Sequence, residues 1–105
     1  MEPVAQLINR HLIIDAETAT ALFPEATHVN MVYYANNKTL LLAHTQDELF
    51  KSLHKTSMQM VKNKNLRGDK SVSLEELLID HDLDDQDRHL LGKADRTMCI
   101  LTIQF

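Results

Sequence analysis

The feature that most constrains the fold is a pair of strand-forming apolar segments separated by three residues typical of turns. The segments are residues 28–34 and 38–44, and the residues between them are Ala35-Asn36-Asn37. Asparagine tolerates a positive φ and hydrogen-bonds to its own backbone, which suits a tight turn. The pattern therefore predicts a β-hairpin over residues 28–44.

A helix is predicted directly after this hairpin. Residues Thr45-Gln46-Asp47-Glu48 form a capping box, in which the Thr hydroxyl and the Glu carboxylate satisfy backbone donors at a helix start. Apolar residues then recur at helical spacing from Leu49 to Val61, and lysines line the opposite side. These features predict an amphipathic helix of about four turns that starts near residue 46 and ends before Gly68.

The sequence of the last third of the chain indicates two short helical segments and one strand. Ser73-Leu74-Glu75-Glu76 is a second capping box, which predicts a short helix. Asp82 or Asp84 can cap a further helical turn that ends near Leu91. Residues 97–105 are apolar and rich in β-branched side chains, and they predict a buried strand.

The first residues of the chain are compatible with two structures. Residues 4–14 suit either a helix or a strand, because their apolar side chains fit both periodicities. Asp15 is a good N-cap for a helix over residues 16–23, and Pro24 ends that helix.

Together these elements predict one α+β domain spanning residues 1–105. Its sheet would be small and mainly antiparallel, built from the 28–44 hairpin and the 97–105 strand and covered by the amphipathic helix. A chain of 105 residues can bury one core without metal or disulfide staples. The single cysteine, Cys99, can form no internal disulfide.

An offset of 58 residues suggests an internal repeat. It places Asp15 on Ser73 and Leu40 on Met98, so that the order of cap, helix, turn and strand occurs twice. The same offset requires residues 87–91 to match the strand over 29–33. Residues 87–91 are followed by glycine, which favours a helix end there and argues against the repeat.

Two strand-helix-hairpin units would resemble the swapped-hairpin and double-split barrels of AbrB-like and MraZ-like transcription regulators. The resemblance covers residues 10 to 45 and implies a DNA-binding regulator as an alternative function. This chain matches the basic strand entry of those families poorly, because Asn9-Arg10-His11 and Gly68-Asp69-Lys70 stand at that position.

Charge is strongly segregated along the second half of the chain. Residues 51–70 carry six cations and one acid, whereas residues 75–87 carry seven acids and no lysine or arginine. Opposite charges on neighbouring segments favour a non-catalytic binding or oligomerising module that contacts its partner through one of them. The cations can also neutralise nucleic-acid phosphates, although the net charge of −4 opposes this. The candidate contact residues are Lys51, Lys55, Lys62, Lys64, Arg67 and Lys70.

The acidic segment offers a third class of function, a metal-dependent enzyme. On a helix, His81, Asp85 and His89 would lie at four-residue steps on one face, which suits a borderline cation such as Zn²⁺. The aspartates also have a purely structural explanation, because Asp is favoured at helix starts.

No cofactor and no catalytic nucleophile are predicted, so a non-enzymatic role is favoured. The expected partner is a second copy, in a homodimer that covers the apolar edge of the last strand, or another protein. A membrane partner is not expected, because no apolar run approaches the roughly 20 residues that span a bilayer. The N-terminal residues lack the pattern of a secretory signal, which predicts a cytoplasmic protein.

Overall fold

A computed structural model describes residues 2–105, in which one antiparallel sheet of nine strands curls into a nearly closed barrel. The strand order across the sheet is β5-β3-β4-β9-β8-β1-β2-β7-β6, and β5 also approaches β7. None of the helices in residues 2–105 is long and apolar enough to cross a membrane. The strands are β1 (Glu2–Ile8), β2 (His11–Ile14), β3 (His28–Tyr34), β4 (Thr39–His44), β5 (Ser57–Met60), β6 (Lys62–Asn63), β7 (Lys70–Ser73), β8 (Arg88–Asp95) and β9 (Ile100–Gln104); the helices are α1 (Ala16–Leu22), α2 (Glu48–Leu53) and α3 (Glu75–Asp80).

The barrel contains two copies of one strand-helix-hairpin unit. The first unit is β2, α1, β3 and β4, and the second is β7, α3, β8 and β9. Each element of the second unit begins 59 to 61 residues after its counterpart. Both hairpins have four-residue turns, and the last turn residue has a positive φ in each, 51° at Lys38 and 56° at Cys99. The repeat is therefore present in the structure.

The two units are related by a pseudo-two-fold axis. Strand β2 pairs with its counterpart β7, and β4 pairs with its counterpart β9, both antiparallel. The registers obey the same symmetry: Leu12 lies opposite Val72, and Ile13 lies opposite Ser71. The units therefore build the sheet by pairing with each other.

The strands that precede each unit also correspond, but they differ in one respect. In the first half, β1 is continuous and pairs with both β8 and β2. In the second half the same role is divided, because β5 pairs with β3 and β6 pairs with β7. Val61 separates them and donates its backbone N–H to Thr27 O at 2.8 Å. This interruption leaves a seam between β5 and β7.

The prediction of an α+β fold, with a small sheet covered by a helix, is wrong. Strands make up 45% of the chain and helices 18%. The helix that was predicted to start near residue 46 ends at Leu53, and His54 is extended (φ −131°, ψ 149°). Residues 57–60 and 62–63 form strands instead, because β5 supplies the backbone partners that the outer edge of β3 would otherwise lack.

A second correction concerns residues 87–91, which were expected to end a helix. They lie mainly in β8, so the objection to the internal repeat no longer holds. Residues 4–14 form β1 and β2, and the 28–44 hairpin is confirmed as β3 and β4. The predicted strand over 97–105 is shorter, because residues 96–99 form the turn between β8 and β9.

The core fills the inside of the barrel with side chains from seven strands, and β5 and β6 contribute no buried residue to it. Leu40 and Leu42 of β4 lie opposite Ile103 and Leu101 of β9, and all four are completely buried. Helices α1 and α3 add apolar side chains to the same cluster, including the buried Leu78. Full burial of such side chains stabilises the fold by about 1.5 to 3 kcal/mol each.

Gly92 allows the two strands of the second hairpin to pack closely. A Cβ at this position would lie 1.9 Å from the Thr102 carbonyl oxygen, which is backbone and cannot rotate away. We expect Gly92→Ala to lower the free energy of unfolding by about 3 kcal/mol, as overpacking does in well-packed regions. Chemical denaturation measures this change. The control is Lys93→Ala on the same strand, which should change stability by less than about 0.5 kcal/mol; equal effects would contradict the packing argument.

Candidate interaction surface

Residues 49–67 form an exposed surface that combines apolar and cationic side chains, and we call it the basic surface. It consists of α2, β5, β6 and the loop that follows them. Large exposed apolar side chains mark interaction sites when they cluster. Five of the nine in residues 2–105 lie in this segment, namely Leu49, Leu53, Met58, Met60 and Leu66.

Helix α2 lies on the outside of the barrel. Its N-cap Asp47 accepts a hydrogen bond from Phe50 N at 2.9 Å, and Phe50 is buried although it lies outside the core cluster. The residue after the helix, His54, contacts Phe50 and Tyr34 through its ring, and its Nδ1 shares a hydrogen bond with the Tyr34 hydroxyl. These contacts hold α2 against β3, beside β5.

The buried amide of Asn30, on β3, is not satisfied. Asn30 pairs in register with Ala43 and Met58, so it faces outward between them, and it is 4% exposed. Its Nδ2 is the one buried side-chain nitrogen or oxygen in residues 2–105 without a hydrogen-bond partner. Such a group costs roughly 1 to 3 kcal/mol, which weakens the outer layer of the structure at this point.

The predicted contact cations divide into a paired group and an unpaired group. Lys51 pairs with Glu48 at 3.1 Å and Arg67 pairs with Asp69 at 3.3 Å. The Lys70 ammonium donates to the side-chain oxygen of Asn63. In the described chain the remaining three form no ion pair and are exposed, and their charges are available to a partner: Lys55, Lys62 and Lys64.

Asp69, the single acid of the basic segment, anchors the loop over residues 64–69. Its Oδ1 accepts from Ala16 N at 2.9 Å, at the start of α1, and its Oδ2 accepts from Asn65 Nδ2 at 2.9 Å. The Asn65 hydrogen bond, the Ala16 N–H and the Arg67 charge hold the pKa of Asp69 below its ordinary range, against the opposing effect of burial. The loop therefore holds Leu66 fully exposed at a fixed place.

The lowered pKa of Asp69 predicts a pH dependence of stability. Because its pKa is lower in the folded state than in the unfolded state, the stabilisation is complete above the unfolded value and is lost as the pH falls through the folded value. Asp69→Asn should therefore lower the melting temperature at pH 7. Below about pH 4 its melting temperature should fall less steeply than that of the wild type, because the variant has no carboxylate to protonate at this position. Melts across this range measure both effects. Glu76→Gln is the control; an unchanged pH profile in Asp69→Asn would contradict the anchoring role.

The acidic segment is anchored to the turn between β1 and β2. Arg10, in that turn, lies 3.1 Å from Asp85 and 3.6 Å from Glu75. Asp87 accepts from Asn9 N at 2.8 Å. Within the acidic segment, the exposed acids that form no ion pair within residues 2–105 are Glu76, Asp80, Asp82, Asp84 and Asp87, and the exposed Ile79 precedes Asp80 on α3. We call α3 and the loop to residue 87 the acidic surface.

The basic and acidic surfaces meet at the seam of the barrel. A groove of about 470 Å³ opens there between β5, β7 and α3. Ser57 and Gln59 line it from β5, and Glu76, Ile79 and Asp80 line it from α3. The groove is open to solvent and mixed in polarity, and it separates two surfaces of opposite charge.

The three candidate metal ligands do not come together. His81 follows α3 and packs its ring 4.6 Å from the ring of Tyr33, whose hydroxyl pKa is raised by burial. Asp85 pairs with Arg10, and His89 lies on β8 opposite Gln6. The helix that would have aligned them is absent, since residues 82–87 are a loop. No group of three His, Cys, Asp or Glu side chains in residues 2–105 could hold a metal ion.

No protein-family model, curated protein or solved structure matches the chain. Sequence reasoning singled out the cations of the basic surface, but it favoured a core position for Met58 and Met60, which are both exposed. The alternation of Ser57-Met58-Gln59-Met60 was the signal for a strand, and it was read as part of a helical pattern.

Proposed function

We propose that the protein is a non-catalytic binding module whose basic surface docks an acidic polypeptide segment that also carries apolar side chains. The observation that carries this proposal is the coincidence of exposed apolar residues with unpaired lysines on one segment. Apolar side chains at the centre of an interface supply affinity, and charges at its rim steer the encounter. The fold places both along α2, β5 and β6. A cytoplasmic location is part of the proposal, and the free thiol of Cys99 is compatible with it.

The unpaired lysines provide the first test. The probe is a fluorescent peptide of alternating leucine and glutamate residues, and its binding is followed by anisotropy at low salt. We expect Lys62→Glu/Lys64→Glu to raise the Kd by about tenfold or more, because it replaces attraction with repulsion at the rim. Lys38→Glu/Lys93→Glu makes the same change in net charge at two other exposed lysines and should leave the Kd within about twofold.

Two outcomes would contradict the proposal. In one, the wild-type protein shows no affinity for the acidic peptide at low salt. In the other, both double variants weaken binding equally, which would mean that net charge rather than the basic surface determines affinity. A peptide of alternating leucine and lysine residues, of the same length, is the matched control probe. Its Kd should be at least about tenfold higher than that of the leucine and glutamate peptide, because its lysines are repelled by the basic surface.

A second candidate, the DNA-binding regulator, is favoured by one specific observation. The chain contains two strand-helix-hairpin units in one barrel, and two such units resemble the arrangement of AbrB-like and MraZ-like regulators. The electrostatics oppose it, because Arg10 at the start of β2 is neutralised by Asp85 and Glu75. A labelled duplex titrated at two ionic strengths separates the candidates. A regulator would bind with steep salt dependence, reduced in Lys62→Glu/Lys64→Glu.

A further inference from the structure

We infer that the partner of the basic surface is a second copy of this chain, and that two copies form a symmetric dimer across the seam. The basic surface of each copy would lie on the acidic surface of the other. This inference rests on the proposed function and gives its partner a chemical identity. It is carried by charge complementarity and by the relative position of the two surfaces.

The charges that the structure leaves unpaired are complementary. On the basic surface, Lys55, Lys62 and Lys64 have no anionic partner within residues 2–105. On the acidic surface, Glu76, Asp80 and Asp82 have no cationic partner in the same range. Each copy therefore presents both halves of an electrostatically matched interface.

The position of the two surfaces selects a dimer over a filament. They lie on opposite sides of the seam groove, with β5 on one side and α3 on the other. A two-fold axis through the groove places each basic surface on the partner's acidic surface, so both contacts form at once. Such an isologous interface is closed and uses all of the complementary charge.

The interface would also cover exposed apolar side chains. Met58 and Met60 of β5 are 62% and 53% exposed, and Ile79 of α3 is 64% exposed. Ile79 lines the groove and would lie near the two-fold axis. Met58 and Met60 alternate with Ser57 and Gln59, so they lie on the face of β5 that points away from the groove and would flank the interface rather than fill its centre.

The internal repeat supplies a built-in comparison. In the first unit, the counterpart of α3 is α1, and its Glu17 is already paired with Arg96 at 3.1 Å. The counterpart of β5 and β6 is β1, which contains Glu2 and no lysine or arginine. The strand that precedes the first unit thus lacks the unpaired lysines of the segment that precedes the second unit, which assigns the contact to one side of the barrel only.

The first experiment is sedimentation velocity of the full chain across a concentration series. At low salt the wild-type protein should sediment as a dimer at high micromolar concentration. It should dissociate as salt is raised, because screening weakens exposed ion pairs. A strictly monomeric protein at low salt would overturn the inference. Open-ended growth in mass would also overturn it, since this outcome indicates a heterologous contact.

The second experiment exchanges the charges. Lys62→Glu/Lys64→Glu alone and Glu76→Lys/Asp80→Lys alone should each be monomeric, because each repels its own copy. Mixed in equal amounts, the two variants should form a heterodimer, since both contacts are then attractive. The control pair Lys38→Glu/Lys93→Glu should dimerise like the wild type. A mixture that stays monomeric, or control variants that fail to dimerise, would contradict the assignment.

Failure of this inference can be told apart from failure of the proposed function. If the wild-type protein stays monomeric but still binds the leucine and glutamate peptide through the basic surface, only the identity of the partner is wrong. If it neither dimerises nor binds the peptide, both are wrong. Circular dichroism of each variant establishes that the barrel is intact before either result is interpreted.

Discussion

The structure depends on antiparallel pairing between two equivalent units. Each unit is a strand, a helix and a hairpin, and neither can close a barrel alone, because its outer strands would keep unpaired backbone groups. The pairs β2 with β7 and β4 with β9 remove those edges and enclose one core. Gly92 allows β8 and β9 to approach each other closely within the second hairpin. The helices are short because the sheet, not helix packing, buries most of the apolar surface.

The two units have diverged in the segments that precede them, and the candidate site lies where they differ. In the first half, the continuous strand β1 closes the barrel against both neighbours. In the second half, Val61 interrupts the equivalent strand, and the seam opens beside α3. The same segment carries the unpaired lysines and the exposed methionines. The repeated architecture thus forms the barrel, and the segment in which the two halves differ presents the surface to which we assign binding.

Local features of the sequence were enough to predict some elements. The 28–44 hairpin was predictable because its turn residues and strand residues are adjacent in the chain. The N-cap of α1, Asp15, was predictable because its side chain accepts from Thr18 N three residues later. Strand β8 was not predictable, because glycine after Leu91 is equally typical of a helix end. Only the close approach of the Thr102 backbone explains why position 92 is glycine. Contacts between residues distant in sequence decided these cases.

The same distinction applies to the candidate site. The segregation of charge was visible in the sequence, but the sequence does not reveal which charged side chains pair with each other in the folded protein. Arg10 and Asp69 anchor loops through partners far away in the sequence, whereas Lys62 and Lys64 form no ion pair within residues 2–105. The metal hypothesis depended on a helix over residues 81–89, and it lost that geometric basis when the segment formed a loop and a strand.

Zero-length cross-linking of lysine to carboxylate tests the central claim most directly, that complementary surfaces on either side of the seam determine how the molecules meet. Isotopically light and heavy protein would be mixed before cross-linking, so that mass spectrometry separates links within one chain from links between chains. The account predicts mixed-isotope links from Lys62 or Lys64 to Glu76 or Asp80. Links between copies that involve other residues, or none between copies at low salt, would contradict it.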